Sequence, residues 1–332
     1  MSPFNLRKRL FITAIALFLG FFAQLAAASA DGEPAPGSTD RIELWSTGLP
    51  PGDKPLAQPP QIVERSSDPA LPDRYITHVS KPYLVVYRPA HPNGIGLLVT
   101  PGGGYKRVVL DKEGSAMVPS FVEQGGVTLF VLRYRLPGEG RADREAALAD
   151  AQRALRLIRS QASQWHLDPH RIGVMGFSAG GHVAARLGTG FDKQVYPATD
   201  AIDQLSARPD FELLIYPVID MAGPDTHGGS RDRLLGPNPD PKLLHQYSMQ
   251  YQVRPGTPPT FLVHTQDDSA VPVGNSLQFY QGLLRAGVPA EMHLFPHGGH
   301  GFGVRGTHGL TTAIWPQLAL DWIATQPEKS TP

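Results

Sequence analysis

Cysteine is absent from the 332 residues. That excludes disulfide cross-links, thiolate zinc sites, iron–sulfur clusters and cysteine nucleophiles, so the chain must be stable on its apolar core alone. Charge is sparse at 18%, and 30 basic residues balance 30 acidic ones with no block of one sign. Nothing there attracts nucleic acid. No H-E-x-x-H occurs, which removes the commonest helical zinc motif. What is plentiful is apolar sequence, 41% of residues, punctuated by 35 glycines and 33 prolines. That composition suits a large globular unit with many tight loops.

The N-terminus reads as a separate object. Arg7, Lys8 and Arg9 precede an uncharged apolar run, and Ala28-Ser29-Ala30 supplies a small-x-small site before a polar stretch. This is the layout of a secretory signal peptide spanning 1–30, with an uncleaved membrane anchor as the alternative. Cleavage would leave 27 basic against 30 acidic residues and a periplasmic or extracellular protein with no membrane attachment. Residues 31–74, rich in Pro, Gly and Asp, read as an extended lead-in packed on the domain; residues 75–326 form that domain, and 327–332 a tail.

Within 75–326, short apolar runs alternate with helical patterns. "YITHV", "YLVVY", "IGLLVT", "GVTLFVLRYRL", "RIGVMGFS", "FELLIYPV", "TFLVHT" and "AEMHLF" read as strands. Ala147, Leu148, Ala151, Leu155 and Ile158 recur at helical spacing, and helices are also expected over "AGGHVAARLG", stopping at Gly188, over "GNSLQFYQGLLRAG", and over the segment led by Pro316. Strands that are apolar throughout, separated by helices, predict a mostly parallel sheet covered on both faces, an α/β architecture. Residues 220–254 break the rhythm and read as an insertion of loops and short helices at the carboxyl edge of the strands.

The chemistry centres on "GFSAGG", which joins a predicted strand to a predicted helix and holds Ser178 in a turn where small neighbours are needed. A serine nucleophile needs a base, and the base an orienting carboxylate. Two later strands end in loops that offer them: Asp267 and Asp268 in one, His297 and His300 in the next. "TPGGGY" offers unhindered amides at Gly102, Gly103 and Gly104 for a developing oxyanion, with the amide of Ala179 as a second source.

The set "PGGGY", "GFSAGGH", "DDSAVP" and "GGHGFG" resembles the α/β-hydrolase superfamily, and within it the esterase/lipase branch with secreted bacterial acetylxylan and feruloyl esterases; the likeness covers about residues 75–325. The resemblance implies Ser178 as nucleophile, His300 as base and Asp268 as orienter, Asp268 being favoured over Asp267 by the following Val271-Pro272. It implies an oxyanion hole of Gly103, Gly104 and Ala179, no cofactor and no metal, and hydrolysis of acetyl or other acyl esters on plant polysaccharide or oligosaccharide. Pro101 departs from the His that related lipolytic enzymes carry before the glycines, which bears on the loop's shape. A peptidase of the same fold and a non-catalytic binding module are the rival readings. "GFGVRG" at 301–306 matches a dinucleotide pattern but follows a histidine loop, so a nucleotide site is not expected. His182 is expected to pack behind the serine; Trp45, Tyr105 and Phe177 either line a pocket or, as is commoner for aromatic residues, are simply buried.

Overall fold

The computed structural model describes residues 40–326, except 47, 51 and 140–142. The expected signal segment, the start of the lead-in and the tail lie outside the described residues.

The strands are β1 (Asp40–Glu43), β2 (Gln61–Glu64), β3 (Arg74–Thr77), β4 (Tyr83–Tyr87), β5 (Gly96–Thr100), β6 (Val108–Val109), β7 (Thr128–Arg133), β8 (Ile172–Phe177), β9 (Glu212–Ile215), β10 (Thr260–Thr265) and β11 (Ala290–Phe295). The helices are α1 (Ala146–Ser160), α2 (Ser178–Gly190), α3 (Gly228–Leu235), α4 (Pro241–Tyr247), α5 (Gly274–Arg285) and α6 (Trp315–Ala324), with a π-helical segment over Val118–Gln124. One eight-stranded sheet runs in the order β1-β4-β7-β5-β8-β9-β10-β11. β1, β4 and β7 pair antiparallel at one edge, and the pairs from β7–β5 to β10–β11 are parallel.

The interior strands are apolar throughout because both faces are covered. Leu98, Val174, Leu214 and Leu262 meet α1, α2 and α5 through Leu155, Val183, Ala184 and Phe279. Val99, Met175, Phe177, Leu213 and Phe261 face the opposite layer, where Phe121, Trp315 and Trp322 close the second core. Each such side chain taken fully out of water contributes about 1.5–3 kcal/mol before conformational entropy is charged against it.

Two local readings change. Residues 40–74 hold more regular structure than a loose lead-in: β1 adds an edge strand to β4, and β2 with β3 and β6 forms a separate three-stranded sheet. Leu44 and Trp45 are buried, and Arg153 donates to the carbonyl of Leu44. Tertiary pairing, absent from any local pattern, supplies that order. Gly188 does not stop α2, which continues to Gly190. A Cβ at Gly188 would lie 2.8 Å from Glu212 Oε2, so the glycine answers a close approach to a buried carboxylate rather than a chain turn. The insertion at 220–254 contains α3 and α4, with Asp240 capping α4 through the amide of Lys242 and Pro241 in its first turn.

Candidate active site

β8 ends at Phe177 in extended geometry, and the next residue, Ser178, opens α2 with φ at 52°. A non-glycine residue in the left-handed region is strained by about 1–3 kcal/mol, and such strain persists only where the surroundings impose it. Here the strand folds back so tightly that a Cβ at Gly176 would sit 2.5 Å from the carbonyl oxygen of Gly180. A Cβ at Gly180 would lie 2.1 Å from that of Thr100. The small residues of "GFSAGG" are thus required by the turn that sets the serine at the carboxyl end of the sheet.

The loops after β10 and β11 bring the partners to it. Ser178 Oγ lies 2.8 Å from His300 Nε2, and His300 Nδ1 lies 2.7 Å from Asp268 Oδ2. Asp268 Oδ1 accepts the amides of Ala270 at 3.0 Å and Val271 at 2.9 Å. His264, fully buried in β10, places Nε2 2.9 Å from the carbonyl of Val271 and 3.3 Å from Asp268 Oδ2. Burial pushes the Asp268 carboxyl up, but the hydrogen bonds from His264 and His300 outweigh it and hold the group well below the usual carboxylate range. An ionised Asp268 fixes the proton of His300 on Nδ1, so Nε2 presents its lone pair to the serine hydroxyl.

Both pairs of alternatives separate in space. Asp267 is solvent-exposed and accepts the amides of Gly298 and Gly299, with His297, also exposed, beside it at 3.4 Å. Asp268 and His300 join the serine, whereas Asp267 and His297 brace the loop from outside.

The glycine loop after β5 crosses directly above the serine, since a Cβ at Gly102 would lie 2.8 Å from Ser178 Cβ. The Gly102 amide donates to Glu113 Oε2 at 2.7 Å, so it is committed inward. Gly103, Gly104 and Tyr105 all have positive φ, at 133°, 66° and 57°. The amides of Gly103, Gly104 and Ala179 have no acceptor among the described residues, the last because the first amides of a helix lack an intrahelical partner. These are the three amides singled out in the sequence.

Several neighbours went unread in the sequence. Glu113 lies buried beneath the glycine loop. Tyr216, after β9, stacks edge-on against His300 with ring centroids 5.2 Å apart. His227, half-buried in the insertion, lies beside Gly104; its Nδ1 accepts the amide of Ser230 at 3.2 Å, which leaves the proton on Nε2. Burial, with His300 nearby, lowers its pKa and keeps it neutral. None of the three stands in a recognisable local motif.

The discounted residues have structural roles. His182 is fully buried, donates from Nε2 to the carbonyl of Tyr247 and takes the Tyr105 hydroxyl on Nδ1. Burial, with the Arg186 charge, pushes its pKa down to about 3. Trp45, Tyr105 and Phe177 are core. His293 bonds Glu291, and no group of three or more His, Asp or Glu side chains suited to a metal occurs among the described residues. The "GFGVRG" run carries an amide donor from Gly303 to Tyr216, and Asp321 accepts from Gln317 on α6.

A serine in a strained strand–helix turn, above a mostly parallel sheet and hydrogen-bonded to His and Asp from successive later loops, defines an α/β-hydrolase. The chain belongs to the BD-FAE family, whose profile matches residues 84–283. It is 35% identical over 227 residues to the acetylxylan esterase of Xylanibacter ruminicola, covering 67% of this chain and 44% of that protein. The chain thus spans less than half the length of that relative. It superposes on the crystal structure of an acetyl ester-xyloside bifunctional hydrolase from Caldicellulosiruptor lactoaceticus with a TM-score of 0.72 and 38% identity, covering 86% of this chain and 96% of the other. A carboxylesterase from Lactobacillus plantarum, Cest-2923, matches with a TM-score of 0.62 and 28% identity, covering 80% and 98%. By fold and kinship the chain stands among α/β-hydrolase esterases that resemble acetylxylan esterases.

Proposed function

We propose that the protein is a serine carboxylesterase that removes acetyl groups from plant polysaccharide or the oligosaccharides derived from it. The observation that carries the reading is the hydrogen-bonded row Ser178 Oγ, His300 and Asp268. Ser178 Oγ attacks the ester carbonyl carbon while its proton passes to His300 Nε2, and Asp268 stabilises the imidazolium. The amides of Gly103, Gly104 and Ala179 receive the negative charge that forms on the carbonyl oxygen. The imidazolium then protonates the leaving alkoxide, and the C–O bond breaks. Water, deprotonated by His300, releases acetate from Ser178 and restores the hydroxyl.

The acetyl group and the xylan-type alcohol are supported by what the relatives are called. The basic n-region, apolar run and Ala28-Ser29-Ala30 support export to the periplasm or medium. Acetylated xylo-oligosaccharide, a feruloyl ester, a butyryl ester and an alanyl anilide, compared side by side, test the reading. The expected order is acetyl first, with the anilide unreactive. Anilide cleavage faster than ester cleavage would make the protein a peptidase. Mass spectrometry of exported protein should give a chain starting at Asp31.

A further inference from the structure

The glycine loop follows β5 and the histidine loop follows β11, far apart in the sheet order, yet both must be held in register for an oxyanion to meet its donors. One buried pair of side chains spans the gap. Glu113 Oε2 accepts the amide of Gly102 at 2.7 Å, and Glu113 Oε1 accepts the Tyr216 hydroxyl proton at 3.0 Å. The same Tyr216 oxygen accepts the amide of Gly303, three residues past His300, at 3.1 Å. The Tyr216 ring packs edge-on to His300 and, at 4.5 Å, to Phe302. Tyr216 itself has φ at 40°, a strained value for a bulky residue, and strain of this kind concentrates at functional sites.

We propose that Glu113 and Tyr216 are positioning residues that lock the glycine loop and the histidine loop into one rigid unit. The inference rests on the esterase reading above. Neither residue touches the ester; Glu113 acts through the Gly102 amide, which fixes Gly103 and Gly104, and Tyr216 through the loop that carries the base. Burial holds the Glu113 pKa above the usual carboxylate value, and the Gly102 amide with the His300 and Lys112 charges offsets this only in part.

The test compares kcat and KM of wild type, Ser178→Ala, Glu113→Gln and Tyr216→Phe on p-nitrophenyl acetate, with melting temperature as a check of folding. Turnover by wild type and its loss in Ser178→Ala establish the esterase reading first, so its failure is separate from that of this inference. Tyr216→Phe keeps the ring and removes the bridge: kcat should fall about tenfold with KM within about twofold. Glu113→Gln keeps the shape of the side chain but cannot accept from both the Gly102 amide and the Tyr216 hydroxyl: kcat should fall further, again with KM within about twofold. Folded variants with wild-type kcat, or a loss confined to KM, would overturn the positioning role. If Glu113→Gln does not fold, Tyr216→Phe alone decides the positioning role.

Discussion

Asn at position 268 is the substitution whose consequence can be worked most completely from the geometry. Asp268 uses its two oxygens differently. Oδ1 accepts the amides of Ala270 and Val271, and Oδ2 faces His300 Nδ1 at 2.7 Å. An asparagine keeps the first pair by leaving its oxygen where Oδ1 was, which puts its NH2 group where Oδ2 was. That group donates, so His300 Nδ1 must accept, and the imidazole proton moves to Nε2. Nε2 then faces Ser178 Oγ as a donor and cannot take the hydroxyl proton. Loss of the correct tautomer in a Ser-His-Asp site lowers kcat by about 10⁴, equivalent to about 5.5 kcal/mol of barrier. The assay is kcat on p-nitrophenyl acetate, with a circular-dichroism melt to show that the fold survives. Asp267→Asn is the internal control: its oxygen can still accept the Gly299 amide, now at 2.8 Å, and activity should stay within about threefold. A Asp268→Asn enzyme within about tenfold of wild type, or an equal loss in Asp267→Asn, would refute the reasoning.

Other outcomes follow from single contacts. Gly102→Ala would place a methyl 2.8 Å from both the Phe177 carbonyl oxygen and Ser178 Cβ, so the glycine loop must lift; kcat should drop about 10²-fold while KM changes little, as initial rates would show. Glu212 is buried, its Oε1 has no hydrogen-bond partner, and burial raises its pKa from 4.5 to about 8. Between those values the native state keeps a proton that the unfolded chain releases, so stability is full below about pH 4.5 and declines as pH rises through 8, by at most about 5 kcal/mol. Glu212→Gln should flatten the fall in melting temperature between pH 5 and 9, and an unchanged slope would contradict the assignment.

The legible parts of this fold were those whose pattern is local. The buried strands announce themselves because both their faces are covered, so Leu97, Leu98 and Val99 are apolar in succession. The serine turn is legible because steric crowding at Gly176 and Gly180 admits nothing larger. Asp268 and His300 are legible only as members of pairs; choosing between Asp267 and Asp268 needed the resemblance, because exposure separates them and exposure is a tertiary property. β1 escaped because its partner β4 lies some forty residues on and its own pattern, Asp-Arg-Ile-Glu, is that of a half-exposed edge. Glu113, Tyr216 and His264 escaped for a related reason. Each is a polar side chain buried by the fold, satisfied by partners 100 residues away or by a backbone group, and nothing beside it in the chain records the bond.

The central claim is that residue 178 carries an activated hydroxyl, and covalent labelling measures that directly. A fluorophosphonate added to the purified protein should modify it once, with the adduct mapped by peptide mass spectrometry to Ser178. Labelling should vanish in Ser178→Ala and slow by orders of magnitude in His300→Ala. A protein that stays unlabelled, or that labels equally fast without the imidazole of residue 300, would contradict the account.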